Sequence, residues 1–374
     1  MAGIRIRGGG KMDDSIKERG IELLQKLSQA HGAPGQENEV RRIFRSELGE
    51  GVFTDRAGNI FCERQGGSDY PRILIAAHMD EVGLMVQTIM DDGLIRFLVL
   101  GGWWAHTLLA KRVRVHTRDG VEIPGVIGAK PPHFLSEAER EKVMNIEDMF
   151  IDIGARDAGE ARAFGVRLGD PIVPDSPFVR MHNPNLLLSK AFDDRAGLSL
   201  VVHAAQMTGK IDHANAIIFS GTVQEEMGMR GARAAASTVN PDLAIVAEGA
   251  PADDLPGTGK QDRQAVIGSG PQIRLLDSSA IMNRNFTDFV IETAEKNSIP
   301  YQLAVRRKGG TDAAPIHLHA SGVPTVVIAV PARYVHTHNT IIDISDYMNA
   351  LKLILKLVET LDPDTAGSIS SFSD

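Results

Sequence analysis

A single cysteine, Cys62, stands in this chain of 374 residues, so no internal disulfide can form. That fits a reducing, cytoplasmic setting. Long apolar runs are missing as well. A stretch such as residues 323–330 is far below the ~18 residues that span a bilayer. Nor is there an excess of positive charge: 40 Lys+Arg against 48 Asp+Glu give a formal net charge of −8. With a pI near 5.9, nothing draws the chain to nucleic acid or to an anionic membrane. Residues 1–11 contain Arg5, Arg7, Lys11 and the run Gly8-Gly9-Gly10 but no apolar centre, so they do not read as a secretory signal. They are expected to be a flexible leader, with Met12 as an alternative start. No internal repeat is visible, and the only biased tract is the Ser-rich tail after Asp364. These absences exclude membrane-spanning, disulfide-scaffold and nucleic-acid-binding classes. They name no function.

What is present is ordinary for an enzyme: 43% hydrophobic and 24% charged residues. The length suggests about two domains and a core that needs no covalent staples. Ile16, Leu23, Leu24 and Leu27 share one helical face after the cap-forming Asp13-Asp14-Ser15, and Val40, Ile43, Phe44 and Leu48 share another. Residues 72–77 then read as a short buried strand. From about residue 82 to 179 the texture changes to short Val/Ile/Thr-rich segments. Gly-containing turns such as Arg118-Asp119-Gly120 divide them, as in a small β-barrel or sandwich. The charged segment 131–142 within it reads as a mobile loop. After Pro184 strands and helices alternate: strands at 216–223, 242–247 and 324–330, helices at 193–206, 282–296 and 345–361. The pattern predicts an α/β sandwich around a mixed sheet, with the β-rich segment inserted into it. Residues 12–82 and 181–362 would form the catalytic body, 83–180 the inserted barrel, and 1–11 and 363–374 flexible termini.

Five polar clusters carry the chemistry. His78-Met-Asp80, Glu225-Glu226, Glu248 and His336 each follow a predicted strand, and Asp193-Asp194-Arg195 opens a helix. In open α/β sheets ligands bind at the carboxyl ends of the strands, so these groups are expected to converge there. Histidines and carboxylates without thiols suit zinc, cobalt or manganese. Asp80 can orient His78 from the same side of an extended chain. Of the neighbours Glu225 and Glu226, one can bind metal while the other serves as a general base. Asp193 has two oxygens and can bridge two ions. Taken singly, each cluster has a plainer reading: Glu225-Glu226 as a solvated turn, Asp193-Asp194 as a helix cap, Glu248 as an exposed loop residue. His336 competes with His338. Their joint occurrence after strands favours a site. His317 and His319 read as two residues of one helix, and Gly309-Gly310-Thr311-Asp312 as a turn or a set of backbone donors.

At these residues the sequence resembles the tetrahedral (TET) metallo-aminopeptidases, the glutamyl aminopeptidase family whose members also go by deblocking aminopeptidase and endoglucanase. The likeness rests on His78-Met-Asp-Glu-Val-Gly83, Gly101-Gly-Trp103, Gly128-Ala-Lys-Pro-Pro-His133, Ala191-Phe-Asp-Asp-Arg195, Thr222-Val-Gln-Glu-Glu226, Gly309-Gly-Thr-Asp312 and Arg333-Tyr-Val-His336. The resemblance implies two divalent metal ions per subunit, zinc first and cobalt or manganese as alternatives. His78, Asp193 and Glu248 would hold one, and Asp193, Glu226 and His336 the other. Asp193 would be the bridge, Glu225 the base and Asp80 the orienter of His78. It further implies an α/β domain of the zinc-exopeptidase type, peptide substrates, dimerisation through the barrel and a tetrahedral dodecamer. One departure stands out. Where the family commonly has Asp, this chain has Ala247-Glu248-Gly249, and the extra methylene can shift the metal.

Three competing readings follow. A metal-dependent deacylase or amidohydrolase would keep the site and change the substrate. A glycoside hydrolase would need two carboxylates roughly 5–9.5 Å apart across a scissile bond, which adjacent Glu225 and Glu226 do not naturally supply. A non-catalytic assembly protein would have no use for a full complement of ligands and a base.

Overall fold

The computed structural model describes residues 14–372; the expected leader at residues 1–11 lies outside them. Two amphipathic helices come first, α1 (Asp14–Gln29) and α2 (Asn38–Leu48). Leu23, Leu24 and Leu27 of α1 and Val40, Phe44 and Leu48 of α2 are buried, the stripes that their spacing dictates. Strands β1 (Val52–Thr54), β2 (Ile60–Gln65) and β3 (Arg72–His78) follow.

The chain then leaves the sheet to build a closed six-stranded barrel. Its strands are β4 (Gly83–Ile89), β5 (Ile95–Leu100), β6 (Arg112–His116), β7 (Glu122–Gly128), β8 (Phe150–Asp152) and β9 (Pro171–Pro174), in the order β4-β5-β8-β7-β6-β9. On β6 and β7 alternate residues (Val113, Val115, Ile123, Ile127) fill the barrel while their neighbours face out. The turn between these strands ends on Gly120 at φ 82°, a left-handed conformation that glycine adopts without steric cost. Residues 131–142, expected as a loop, contain the single-turn helix α3 (Glu137–Arg140) with a Ser136–Glu139 capping box. Helix α4 (Ala158–Ala163) sits between β8 and β9.

The chain returns through β10 (Val179–Arg180), β11 (Leu186–Ser189), α5 (Phe192–Thr208), β12 (Ala216–Thr222), α6 (Arg230–Val239) and β13 (Leu243–Pro251). It ends with β14 (Gln272–Leu276), α7 (Arg284–Lys296), β15 (Gln302–Val305), α8 (Ala313–Ile316), β16 (Thr325–Arg333), β17 (Thr340–Asp343), α9 (Ile344–Thr360) and α10 (Pro363–Ser370). Eleven of these strands form one mixed sheet, whose path runs β1-β2-β12-β3-β13-β16-β17-β11-β10, with β14 joining β16 and β15 joining β14. Four neighbours in its middle, β12, β3, β13 and β16, are parallel. Such strands are covered on both sides, and β12 is buried throughout. Ile73, Ile75 and Ala77 of β3 face the layer of α1, α5 and α9, while Leu74 and Ala76 face α6 and α8. The result is an α/β/α sandwich carrying an inserted barrel. Each large apolar side chain so buried contributes roughly 1.5–3 kcal/mol.

Two expectations are corrected. The barrel ends with Pro174, and β10 already pairs with β11 of the large sheet, although residues 175–180 were expected within the insertion. The tail at 363–374, expected to be flexible, folds over most of its length as α10. Asp362 caps that helix by accepting the Thr365 N–H, and Ala366 and Ile369 are buried beside α7. A short amphipathic pattern inside a Ser-rich stretch was masked by composition.

Candidate metal and catalytic centre

Parallel neighbours end on the same edge of a sheet, and this places the polar clusters. His78 is the last residue of β3, paired in register with Thr222 at the end of β12. Glu225 and Glu226 lie in the turn just beyond Thr222, and His336 in the turn beyond β16. Glu248 lies within β13, which runs four residues past the predicted end of that strand, and its side chain is buried. Asp193 comes in from the start of α5. That start is not a simple helix cap: Asp193 and Asp194 have non-helical dihedrals, and only from Arg195 does the chain wind regularly.

The side chains converge on one cavity of about 730 Å³. Asp193 stands at its centre. One of its carboxylate oxygens is 3.2 Å from His78 Nε2 and the other 3.2 Å from His336 Nε2. Glu248 Oε1 lies 3.6 Å from His78 Nε2, Glu226 Oε1 3.1 Å from His336 Nε2, and Glu225 Oε2 3.9 Å from His78 Nε2. Both imidazoles are aimed from behind. His78 Nδ1 donates to the Asp80 carbonyl at 3.1 Å, and His336 Nδ1 to the Gly102 carbonyl at 2.8 Å, which turns each Nε2 into the cavity. His336 takes φ 59°, an uncommon conformation for a residue with a side chain. Asp80 does more than orient His78. Its carboxylate accepts the backbone N–H groups of both Glu225 and Glu226 at 3.0 Å, fixing the turn that presents them.

So many acceptors in one buried place attract positive charge. Burial would lower His336, yet the Asp193 and Glu226 carboxylates raise it to about 11. Burial works to raise Asp193, yet hydrogen bonding to His336 and His78 holds it well below the usual carboxylate range. Glu225 is pushed up to about 10 by burial, with Asp312, Glu248 and Glu226 adding to the effect and His78 opposing it. Burial likewise raises Glu226 and Glu248. Three sets of donors bring their atoms within 4.8 Å of one another: His78, Asp194 and Glu248; His78, Glu225 and Glu226; Asp193, Glu226 and His336. Glu226 Oε1 is buried and receives no well-aligned hydrogen bond, although His336 Nε2 is close. A set of imidazole nitrogens and carboxylate oxygens facing one another in this way fits divalent cations.

Two buried carboxylates to which the sequence alone assigns no role of their own, Asp194 and Asp312, also belong to this centre. Asp194 accepts the His78 N–H at 3.1 Å and the Gly197 N–H at 2.9 Å, so it braces the end of β3 against α5. Asp312, in a segment read as a turn, accepts from Thr222 Oγ1 and lies near enough to Glu225 to raise it. A buried acid inside a Gly-rich stretch was its only signal. Other residues fall away. His338 is buried against Trp103, and burial lowers it to about 4. His317 caps the four-residue α8 and His319 lies beyond it, bonded to Asn240, so they do not share a helix.

Comparison with known proteins agrees with this geometry. The family model for M42 glutamyl aminopeptidases matches residues 58–353. The glutamyl aminopeptidase of Lactococcus lactis subsp. cremoris is 33% identical over 360 residues, 94% of this chain and 100% of that protein. The crystal structure of a TET aminopeptidase from the marine sediment archaeon Thaumarchaeota archaeon SCGC AB-539-E09 is 40% identical. It superposes with a TM-score of 0.90 over 94% of this chain and 100% of that one. The TET1 peptidase of Pyrococcus horikoshii, which can assemble into a tetrahedron or a large octahedral shell, is 33% identical with a TM-score of 0.82, covering 91% and 100% of the two chains. Fold, site and sequence together place the chain in the M42 glutamyl aminopeptidase family of metal-dependent aminopeptidases.

Proposed function

We propose that the chain removes N-terminal residues from peptides at a pair of divalent ions, His78, Asp193 and Glu248 holding one and Asp193, Glu226 and His336 the other. The observation that carries this is Asp193, whose two oxygens face two different histidines at 3.2 Å each, as a bridging ligand requires. The donors are all nitrogen and oxygen, which suits zinc, with cobalt or manganese as alternatives. Such a pair, when bound, makes a water nucleophilic near neutral pH and polarises the scissile carbonyl. Glu225 is left outside both ligand sets. Burial among acids raises its carboxyl, and two bound cations beside it would oppose that rise and leave a carboxylate able to accept a proton. It takes the proton of the attacking water and returns it to the departing amine. Asp80 keeps Glu225 and Glu226 at their stations through the backbone.

The same cavity selects the substrate. Arg274, Arg306, Arg307 and Lys308 line it, and Arg307 and Lys308 are exposed. An acidic N-terminal side chain is the preference this wall supports. The barrel presents Trp104 and Phe134 at 65% and 71% exposure, and we assign it the dimer contact from which a dodecamer is built. Light scattering of the purified protein reads that assembly.

A panel of aminoacyl-anilides tests the chemistry. Chelation is expected to abolish cleavage, and re-addition of zinc, cobalt or manganese to restore it, fastest on glutamyl or aspartyl substrates. Glu225→Gln is expected to lose on the order of 10²-fold or more in turnover while two metal equivalents stay bound. Cleavage by the metal-free protein, or by the Gln variant at the wild-type rate, would sink the mechanism.

A further inference from the structure

Glu81 is the ionisable residue of His78-Met-Asp-Glu-Val-Gly83 that the chemistry above leaves unused. Its side chain is 1% exposed and is not among those lining the cavity. Both of its carboxylate oxygens lie 2.6 Å from Lys190 Nζ, and Oε1 is 3.4 Å from Arg195 Nη2. Lys190 precedes Asp193 by three residues and Arg195 follows it by two. Apart from the buried Arg195 Nε–H, which has no partner among the described residues, their other bonded N–H groups go to carbonyls at and just beyond the end of α1. Lys190 donates to Ala30, while Arg195 donates to Leu27 and Ala30 from Nη1 and to Gly32 from Nη2. The Glu81 N–H also donates to the Gly32 carbonyl, at 2.9 Å.

One carboxylate thus grips, from the segment that runs out of β3 just after His78 and Asp80, both ends of the segment that carries Asp193. Stability alone is a weak reason for such a cluster, because apolar groups of the same volume often do as well as buried ion pairs. What charged groups with defined hydrogen bonds fix is position. We propose that Glu81 is a positioning residue: through Lys190 and Arg195 it sets the separation of His78 from Asp193, and with it the fit of the metal they share. The inference rests on the two-metal reading above.

Two variants test it. Glu81→Gln combined with Lys190→Met leaves the net charge of the trio unchanged, and Glu81→Asp keeps the carboxylate but draws it back by one methylene. Thermal midpoint and circular dichroism of the metal-free proteins report the fold. Zinc affinity is read by competition with a chromophoric chelator, and site geometry by the visible absorption of the cobalt-loaded enzyme. Both variants are expected to bind at least one of the two ions roughly 10- to 100-fold more weakly, the usual effect of losing an outer support. The cobalt spectrum should change, and kcat should fall more than KM rises. Folded variants with wild-type zinc affinity and cobalt spectrum would overturn the proposal. Should the double variant fail to fold, Glu81→Asp decides the matter alone. A wild-type protein that binds two ions yet cleaves no peptide would refute the aminopeptidase reading and leave these metal measurements standing.

Discussion

Replacing Asp80 by Asn isolates the link between the strand end and the turn that carries Glu225 and Glu226. The Asp80 side chain is fully buried, and each of its oxygens accepts one backbone N–H, from Glu225 and Glu226, at 3.0 Å. Asparagine has the same shape but only one acceptor oxygen, so its NH2 must oppose one of the two N–H groups. The loss comprises one hydrogen bond to a charged acceptor, roughly 1.5–3 kcal/mol, and a buried N–H left unpaired, roughly 1–3 kcal/mol. A neutral amide is cheaper to bury, and removing a negative charge relieves its repulsion with Glu37, where burial and Asp80 together raise the carboxyl. The net cost is therefore set at about 2–4 kcal/mol, a large part of an ordinary folding stability. Urea denaturation of the metal-free protein should show it as a lower midpoint with an unchanged slope. Turnover should fall at least about tenfold, because Glu225 and Glu226 share the displaced turn. An Asn variant with wild-type midpoint and turnover would refute the claim that these two bonds hold the Glu225-Glu226 turn in place.

Three further outcomes are expected. A Cβ at Gly249 would sit 2.2 Å from the Phe192 carbonyl and 3.1 Å from Asp193 Cα, so Gly249→Ala must push the Asp193 segment outward. Overpacking of this kind costs about 1–3 kcal/mol, and metal titration should show weaker binding; unchanged affinity would mean that Asp193 tolerates displacement. Ile369→Ala, on the terminal helix, should cost about 2 kcal/mol by urea denaturation, whereas a loose tail would show nothing. Burial depresses His203 to about 4 from its ordinary 6.5. The folded state thus binds its proton later than the unfolded chain, so its contribution is complete above pH 6.5 and is lost as the pH falls towards 4. The full effect is about 3 kcal/mol at roughly 1.4 kcal/mol per unit. His203→Gln should flatten stability over that window, and equal slopes in variant and wild type would count against the assignment.

How much of this the sequence disclosed follows from what kind of signal each residue carries. His78, Glu225, Glu226 and His336 were legible because parallel strands end together, so polar residues placed after apolar runs must meet. Glu248 was legible in identity but misplaced, since a Glu-Gly pair looks like a strand's end when the strand runs on beneath it to Pro251. Asp193 was legible as a bridging candidate, whereas the non-helical dihedrals of Asp193 and Asp194 were not, because local periodicity carries no trace of the contacts these residues make with His336 and His78. Asp312 and Glu81 were illegible for the same reason in stronger form. A buried carboxylate has no periodic signature; only its partners justify its burial, and those of Glu81 lie 109 and 114 residues away. Composition gives the wrong prior as well, for acids are mostly exposed. What the chain encodes locally is therefore the frame and the residues that touch the reaction. The residues that hold those in register are encoded in long-range pairs, and Lys190 and Arg195 show the cost of missing them: two buried cations that, read alone, have no reason to be where they are.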